Sequence, residues 1–369
     1  MESLTHRQLN RATLARQMLL RREDVSVVTA VERLIGMQTQ EPRPPFIGLW
    51  TRLDDFDRQD LLQALHEHQI VRGTLMRGTL HLMGATDYAA YRQALQPVLT
   101  RALSVLGERS EGLDPEQVLP VARHLLSERP RTFGELRSLL EAKFPHINDR
   151  ALGFCVRMLL PLVMVPTQAR WGFPADAEFA LAETWLEQPL APGDETATQH
   201  LVLRYLAAFG PATVADVQTW SGLQALKPVL AALRPQLRVF RDEQRKELFD
   251  LPDAPRPAED TPAPPRFLPE FDNLLLSHAD RTRVLANEHR NLVKVTGNLR
   301  VRATFLIDGF VSGTWRTERK RGSATMSLVP FVPLSQPDLA ALSEEGEALL
   351  RFLEDDATHF EVNLAEPAV

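Results

Sequence analysis

Gln38-Thr39-Gln40 follows directly on an expected helix ending near Met37, and Pro42, Pro44 and Pro45 come next. Prolines at this spacing keep a chain extended. In an extended chain, residues two apart point the same way, so both amides are expected on one side. Two amide oxygens converging on a point can hold one water in a fixed orientation. By type and spacing alone, a polar loop of no chemical interest is the reading this segment favours.

A second mixture runs from Leu268 through Pro269, Glu270, Phe271, Asp272 and Asn273 to Arg281. Its apolar triplet, Leu274 to Leu276, is bracketed by Asp272 on one side and by Ser277, His278, Asp280 and Arg281 on the other. It could deliver His278 or Arg281 to DNA; a strand with capped ends fits equally. Arg316, Arg319, Lys320 and Arg321 cluster at a turn. Such a turn is usually just solvated, but on a β-hairpin of a DNA-binding protein a phosphate contact fits equally. His66 and His68, two apart in a helical stretch, diverge and make a poor metal pair. Cys155 is the only cysteine, which excludes an internal disulfide, a zinc ribbon and a thiol redox pair. There is no Gly-rich phosphate loop and no Gly-x-Ser-x-Gly elbow. Neither metal nor cofactor is expected.

The chain that must position these residues has 369 of them, 44% hydrophobic and 24% charged, the balance of a globular protein with two to four units. The first residues lack a signal-peptide pattern, and the longest apolar run, Met158 to Pro166, is too short for a bilayer. A cytoplasmic, nucleoid-associated monomer is the expectation. The net charge of −6 argues against DNA binding, yet residues 266–321 hold eleven Lys/Arg against six Asp/Glu. Phosphate binding needs only such a local basic face.

One order of elements recurs without a sequence repeat. Apolar spacing over Gln199 to Phe209 predicts a helix, Gly210-Pro211 breaks it, and Thr213 caps a second helix through Trp220. Gln224 to Leu233 gives a third helix, and Leu237 to Phe240 with Glu247 to Leu251 form a hairpin. Earlier, Pro115 to Ser127, Phe133 to Ala142 (capped by Thr132) and Asp149 to about Leu160 precede strands at Val163 to Val165 and Glu178 to Leu181. A looser copy has helices at Leu9 to Leu20, Ser26 to Met37 and Asp60 to His66. Its strands are Ile70 to Leu75 and Thr79 to Met83, with Arg77 at the tip, an expected DNA contact. Each copy reads as a winged helix-turn-helix, a module that places a helix in the major groove, although many serve as protein–protein scaffolds.

The expected fold is therefore α+β and mainly helical, with three tandem winged helix-turn-helix modules on helical bundles and a C-terminal β-barrel-like unit. The units are 1–105, 106–190 and 191–252, a Pro- and acid-rich linker at 253–265, and 266–369. In the last unit residues 301–307 alternate, Asp308-Gly309 signals a hairpin, and Pro337 to Asp355 is a closing helix.

Taken together, several segments resemble the AlkZ-like DNA glycosylases, tandem winged-helix proteins more distantly related to YcaQ. They are Leu9 to Gln17, Gly36 to Gln40, Arg77 to Leu82, Leu268 to Arg281 and Ile307 to Trp315. The family's catalytic signature of Gln, an aliphatic residue, then Gln or Asp falls on Gln38 and Gln40, with Thr39 departing from the aliphatic middle. Gln at position 40 resembles the AlkZ branch more than the YcaQ branch. The resemblance implies a monofunctional hydrolase that removes alkylated purines from duplex DNA, bulky adducts or interstrand crosslinks included. An N7-alkylguanine is cationic, so the base leaves neutral without an acid. What remains is an oxocarbenium-like sugar that a positioned water captures, a task within reach of two carboxamides. The alternative is a regulator or scaffold that binds DNA without chemistry.

Overall fold

The structure, a computed structural model, describes residues 2–294 and 301–368. The chain opens with α1 (His6–Arg16), closed at its start by a capping box of Thr5 and Gln8. Then come α2 (Val27–Arg33), β1 (Met37–Gln38), α3 (Pro44–Trp50), α4 (Arg58–His66), β2 (Ile70–Thr74) and β3 (Leu80–Gly84). Pro44 and Pro45 do not extend the chain as expected. They start α3, because a proline at the first helical turn loses no hydrogen bond and its φ is already helical. The extended stretch is thus confined to residues 37–39, and Gln40 to Arg43 form a bend.

Helices α5 (Ala85–Tyr91) and α6 (Gln96–Ala102) lead into a second group: α7 (Pro115–Glu128), β4 (Arg131–Thr132), α8 (Phe133–Lys143), α9 (Asp149–Leu159), β5 (Leu162–Met164) and β6 (Glu178–Leu181). Thr132 caps α8 as expected. After the short α10 (Ala182–Trp185), a third group holds α11 (Glu195–Phe209), α12 (Val214–Ser221), α13 (Lys227–Leu233), β7 (Arg238–Arg241) and β8 (Glu247–Asp250). Thr213 caps α12, and Gly222 ends it in the left-handed conformation.

The first two hairpins are not separate. They join through β2 and β5, Gly73 opposite Val163, in one six-stranded sheet of order β1-β3-β2-β5-β6-β4. Gly73 is required there, since a Cβ would lie 2.7 Å from the Tyr88 ring. The third hairpin forms its own two-stranded sheet, β7-β8, with single bridges to Ser3 and Ala212.

The C-terminal unit corrects the barrel expectation. Strands β9 (Arg266–Leu268), β10 (Thr304–Ile307), β11 (Phe310–Lys320), β12 (Ser323–Pro330) and, after α14 (Gln336–Leu353), β13 (His359–Leu364) form an open sheet of order β13-β12-β11-β10-β9. Its apolar face, with Phe267, Phe305, Met326 and Leu328, is covered by Leu342, Leu349, Leu350 and Leu353 of α14. A helix buries what closure would otherwise bury. The added strand β13 is parallel to β12.

Helix α1 ties the units together with buried polar side chains. Asn10 donates to the carbonyls of Arg283 and Gly309, Arg11 pairs with Asp308, and Arg16 forms a two-pronged pair with Asp250. Gln17 donates to the Ala208 carbonyl at 2.8 Å. No helix among the described residues is long and apolar enough to cross a membrane.

Candidate active site

Met37 and Gln38 form the outer strand of the six-stranded sheet, Gln38 opposite His81 of β3. The ladder continues with the Thr39 N–H donating to the Leu80 carbonyl at 2.8 Å. There the backbone turns away, and the Gln40 side chain takes over: its Oε1 accepts the Leu80 N–H at 3.0 Å. Arg72 of β2 donates to the carbonyls of Thr39 and Gln40 at 2.8 and 3.3 Å, holding the bend from below. Burial pulls the Arg72 guanidinium down to about 10, so it stays charged at neutral pH.

Gln38 is buried, and its Oε1 accepts from Arg77 Nη2 at 2.7 Å. Arg77 sits at the hairpin tip with φ of 57° and donates a second bond to the Trp220 carbonyl, at the end of α12. His81 Nε2 lies 3.4 Å from the same Arg77 Nη2. Arginine only donates, so Nε2 accepts and Nδ1–H donates to the Thr79 carbonyl at 3.0 Å. His81 is neutral: burial, then the Arg77 charge, push it down to about 3. Burial and the nearby Arg281 lower Arg77 to about 10.

These donors assign both amides. Oε1 of Gln38 must face Arg77 and Oε1 of Gln40 must face the Leu80 N–H, since either flip would set donor against donor. Each amide offers outward one remaining oxygen lone pair and its Nε2 donors. The expectation that the two converge as free oxygens is modified accordingly.

The loop after β9 backs this site. Asp272 forms a buried two-pronged pair with Arg52 at 2.9 and 3.0 Å, and Arg52 also binds the Gln17 carbonyl. Asn273 donates from Nδ2 to the Gly36 carbonyl at 2.9 Å, two residues before Gln38. Gln17, Gly36, Gln38, Pro44, Glu270 and Asn273 are among the walls of a cavity of about 10 Å³, room for one water. Two of these residues carry a side-chain oxygen, Gln17 Oε1 and Asn273 Oδ1, that is buried without a protein partner. Such an acceptor costs about 1–3 kcal/mol if left unsatisfied. Outside, sharing Pro44 and Glu270 as walls, a groove of about 500 Å³ runs between Glu41, Trp171, Trp315 and Arg316.

Of the expected DNA contacts, Arg281 lies close enough to depress Arg77, and its own pKa is lowered first by burial and then by Arg290. His278 corrects its expectation. It is buried, donates from Nε2 to the Phe209 carbonyl at 3.1 Å and accepts at Nδ1 from Ser277 Oγ at 3.0 Å. Burial holds it neutral, so it braces the interior and has no nitrogen for a phosphate. Arg316 and Arg321 are exposed. Arg319 is 3.2 Å from Asp356 and Lys320 is 2.7 Å from Glu318, so half of the basic turn is internally neutralised.

Gln17 and Asn273 were not singled out as site residues from the sequence. One signal was there: Asn10, Thr13 and Gln17 fall at the helical spacing of Leu14, and all four are buried.

A family model described as DNA glycosylase AlkZ-like matches residues 31–352. A Streptomyces sahachiroi protein named interstrand DNA cross-link repair glycosylase is 23% identical over 361 residues, covering 92% of this chain and 94% of that protein. The solved structure of S. sahachiroi DNA glycosylase AlkZ is similar with a TM-score of 0.81 at 22% identity, covering 98% of this chain and 100% of that one. That likeness is one of fold.

Proposed function

This chain belongs to the AlkZ-like DNA glycosylase family, and from that premise we propose that it hydrolyses the N-glycosidic bond of N7-alkylated purines in duplex DNA. Bulky adducts and interstrand crosslinks fall within the proposed range, the latter being what the S. sahachiroi relative is named for. The observation that carries the reading is the pair of amides held at Gln38 and Gln40 by Arg77 and Leu80, directly before the residues Glu41, Pro42 and Pro44 that wall the groove.

In this reading the alkylated base departs as a neutral molecule, and the developing positive charge moves to the sugar. Gln38 and Gln40 orient the attacking water from fixed positions, which spares reorganisation during the reaction. Glu41 and Glu270, on the walls of the groove, supply negative charge that favours a cationic sugar. The helix-helix-helix-hairpin groups over 115–181 and 195–250 act as winged helices on the duplex, and Arg281, Arg316 and Arg321 meet phosphates.

The test is single-turnover release of 7-methylguanine from an oligonucleotide with one such base. Gln38→Ala and Gln40→Ala are each expected to slow release by roughly 30- to 1,000-fold, with DNA affinity nearly intact. The double variant costs much less than the sum, because both act on one water. Wild-type rates in both single variants overturn the water-positioning role. No release by the wild type from this or bulkier N7 adducts makes the chain a DNA binder without chemistry.

A further inference from the structure

Both orphaned oxygens behind Gln38 are true acceptors. Gln17 Nε2 donates to the Ala208 carbonyl and Asn273 Nδ2 to the Gly36 carbonyl. Flipping either amide would press carbonyl against carbonyl, so Gln17 Oε1 and Asn273 Oδ1 cannot be exchanged for donors. Gln17 is fully buried and Asn273 is 6% exposed. Their oxygens therefore need a donor that comes from neither protein nor bulk solvent.

Gln17, Asn273 and Gln38 line one cavity, which has room for one small molecule. Gln38 has one lone pair of its oxygen committed to Arg77, and its Nε2 donors are left over. A water has the hydrogens and lone pair that the three amides call for: one hydrogen for Gln17, one for Asn273, and a lone pair for Gln38 Nε2. Three hydrogen bonds are the usual complement of a buried water. An ammonium or metal cation fits less well, because Gln38 would then meet it with a donor and Arg52 lines the same cavity.

We propose that Gln17, Asn273 and Gln38 form a buried hydration site whose single water locks the Gln38 amide from behind, making Gln17 and Asn273 positioning residues for the reaction. Arg77 clamps the amide at its oxygen and the water clamps it at its nitrogen. A buried water held this way remains in place while the water that attacks the sugar is renewed at each turnover. The inference rests on the reading of Gln38 as a catalytic residue, but the hydration site itself does not.

A crystal structure at high resolution tests the site directly. An ordered water within hydrogen-bond distance of Gln17 Oε1, Asn273 Oδ1 and the Gln38 amide is expected; a cavity without density, or filled by a protein group, overturns the proposal. Gln17→Met keeps the length and removes the acceptor. In its crystal structure the water is lost and the Gln38 amide occupies more than one rotamer, whereas an unchanged single rotamer overturns the positioning role. Single-turnover release of 7-methylguanine by this variant falls roughly three- to tenfold at unchanged DNA affinity, the effect of one neutral hydrogen bond. An unchanged rate, or a loss confined to affinity, counts against the role. If Gln17→Met does not fold, Asn273→Ala takes its place in both measurements. If the wild type releases no base, the glycosylase reading fails, and the water and the Gln38 rotamer still decide this proposal.

Discussion

Arg77→Met separates two roles that an arginine at a hairpin tip can have. In the structure its Nη2 lies 2.7 Å from Gln38 Oε1, and another nitrogen meets the Trp220 carbonyl. A hydrogen bond to a charged group contributes about 1.5–3 kcal/mol. If that interaction holds Gln38 in its working rotamer, its loss slows chemistry by roughly 10- to 150-fold, at about 1.4 kcal/mol per decade. Leaving the Trp220 carbonyl without a partner costs a further 1–3 kcal/mol or so of stability. The assay is single-turnover base release under saturating enzyme, beside equilibrium DNA binding across a salt series and denaturant unfolding. A rate loss at constant affinity and constant salt slope is expected. Arg77→Lys, which keeps the charge but reaches only one partner, recovers part of the rate. Arg77→Met also lets His81 titrate higher, since the Arg77 charge is one of the causes that hold it down. An unchanged rate refutes the clamp. A loss seen only as weaker binding, with the salt slope lower by about one, makes Arg77 a phosphate contact.

Two further outcomes follow from the charges. Because Arg319 and Lys320 already face Asp356 and Glu318, Arg316→Ala with Arg321→Ala should lower the slope of log affinity against log salt by roughly two, and Arg319→Ala with Lys320→Ala by clearly less; equal slopes in both pairs remove the distinction. His81 and His278 are held neutral in the folded chain, with pKa values well below the unfolded value near 6.5. Below pH 6.5 only the unfolded chain takes up these protons, so stability falls as pH drops, by up to about 2 kcal/mol per histidine between pH 6.5 and 5. Urea unfolding at several pH values checks this, and His81→Gln should flatten the slope by about one proton; an identical slope contradicts it.

What the sequence determined by itself is local. The caps at Thr132 and Thr213 and the turn at Asp308-Gly309 arise from interactions within a few residues, and their positions are legible in the sequence. The Gln-x-Gln loop was visible as a motif, and its family was legible because several such motifs recur in order. The rest depended on partners far away in the chain. Gln38 meets Arg77 across 39 residues, Gln17 meets Ala208 across 191, and Asn273 meets Gly36 across 237. No periodicity records such pairings, since a polar side chain at a buried position looks the same whether it is solvated, paired or orphaned. The fusion of two hairpins through β2 and β5, the sheet left open under α14, and the burial of His278 were likewise decided by how the units pack. Strand alternation specifies which face is apolar; whether a helix, a second sheet or closure covers that face is settled only when the whole chain has folded.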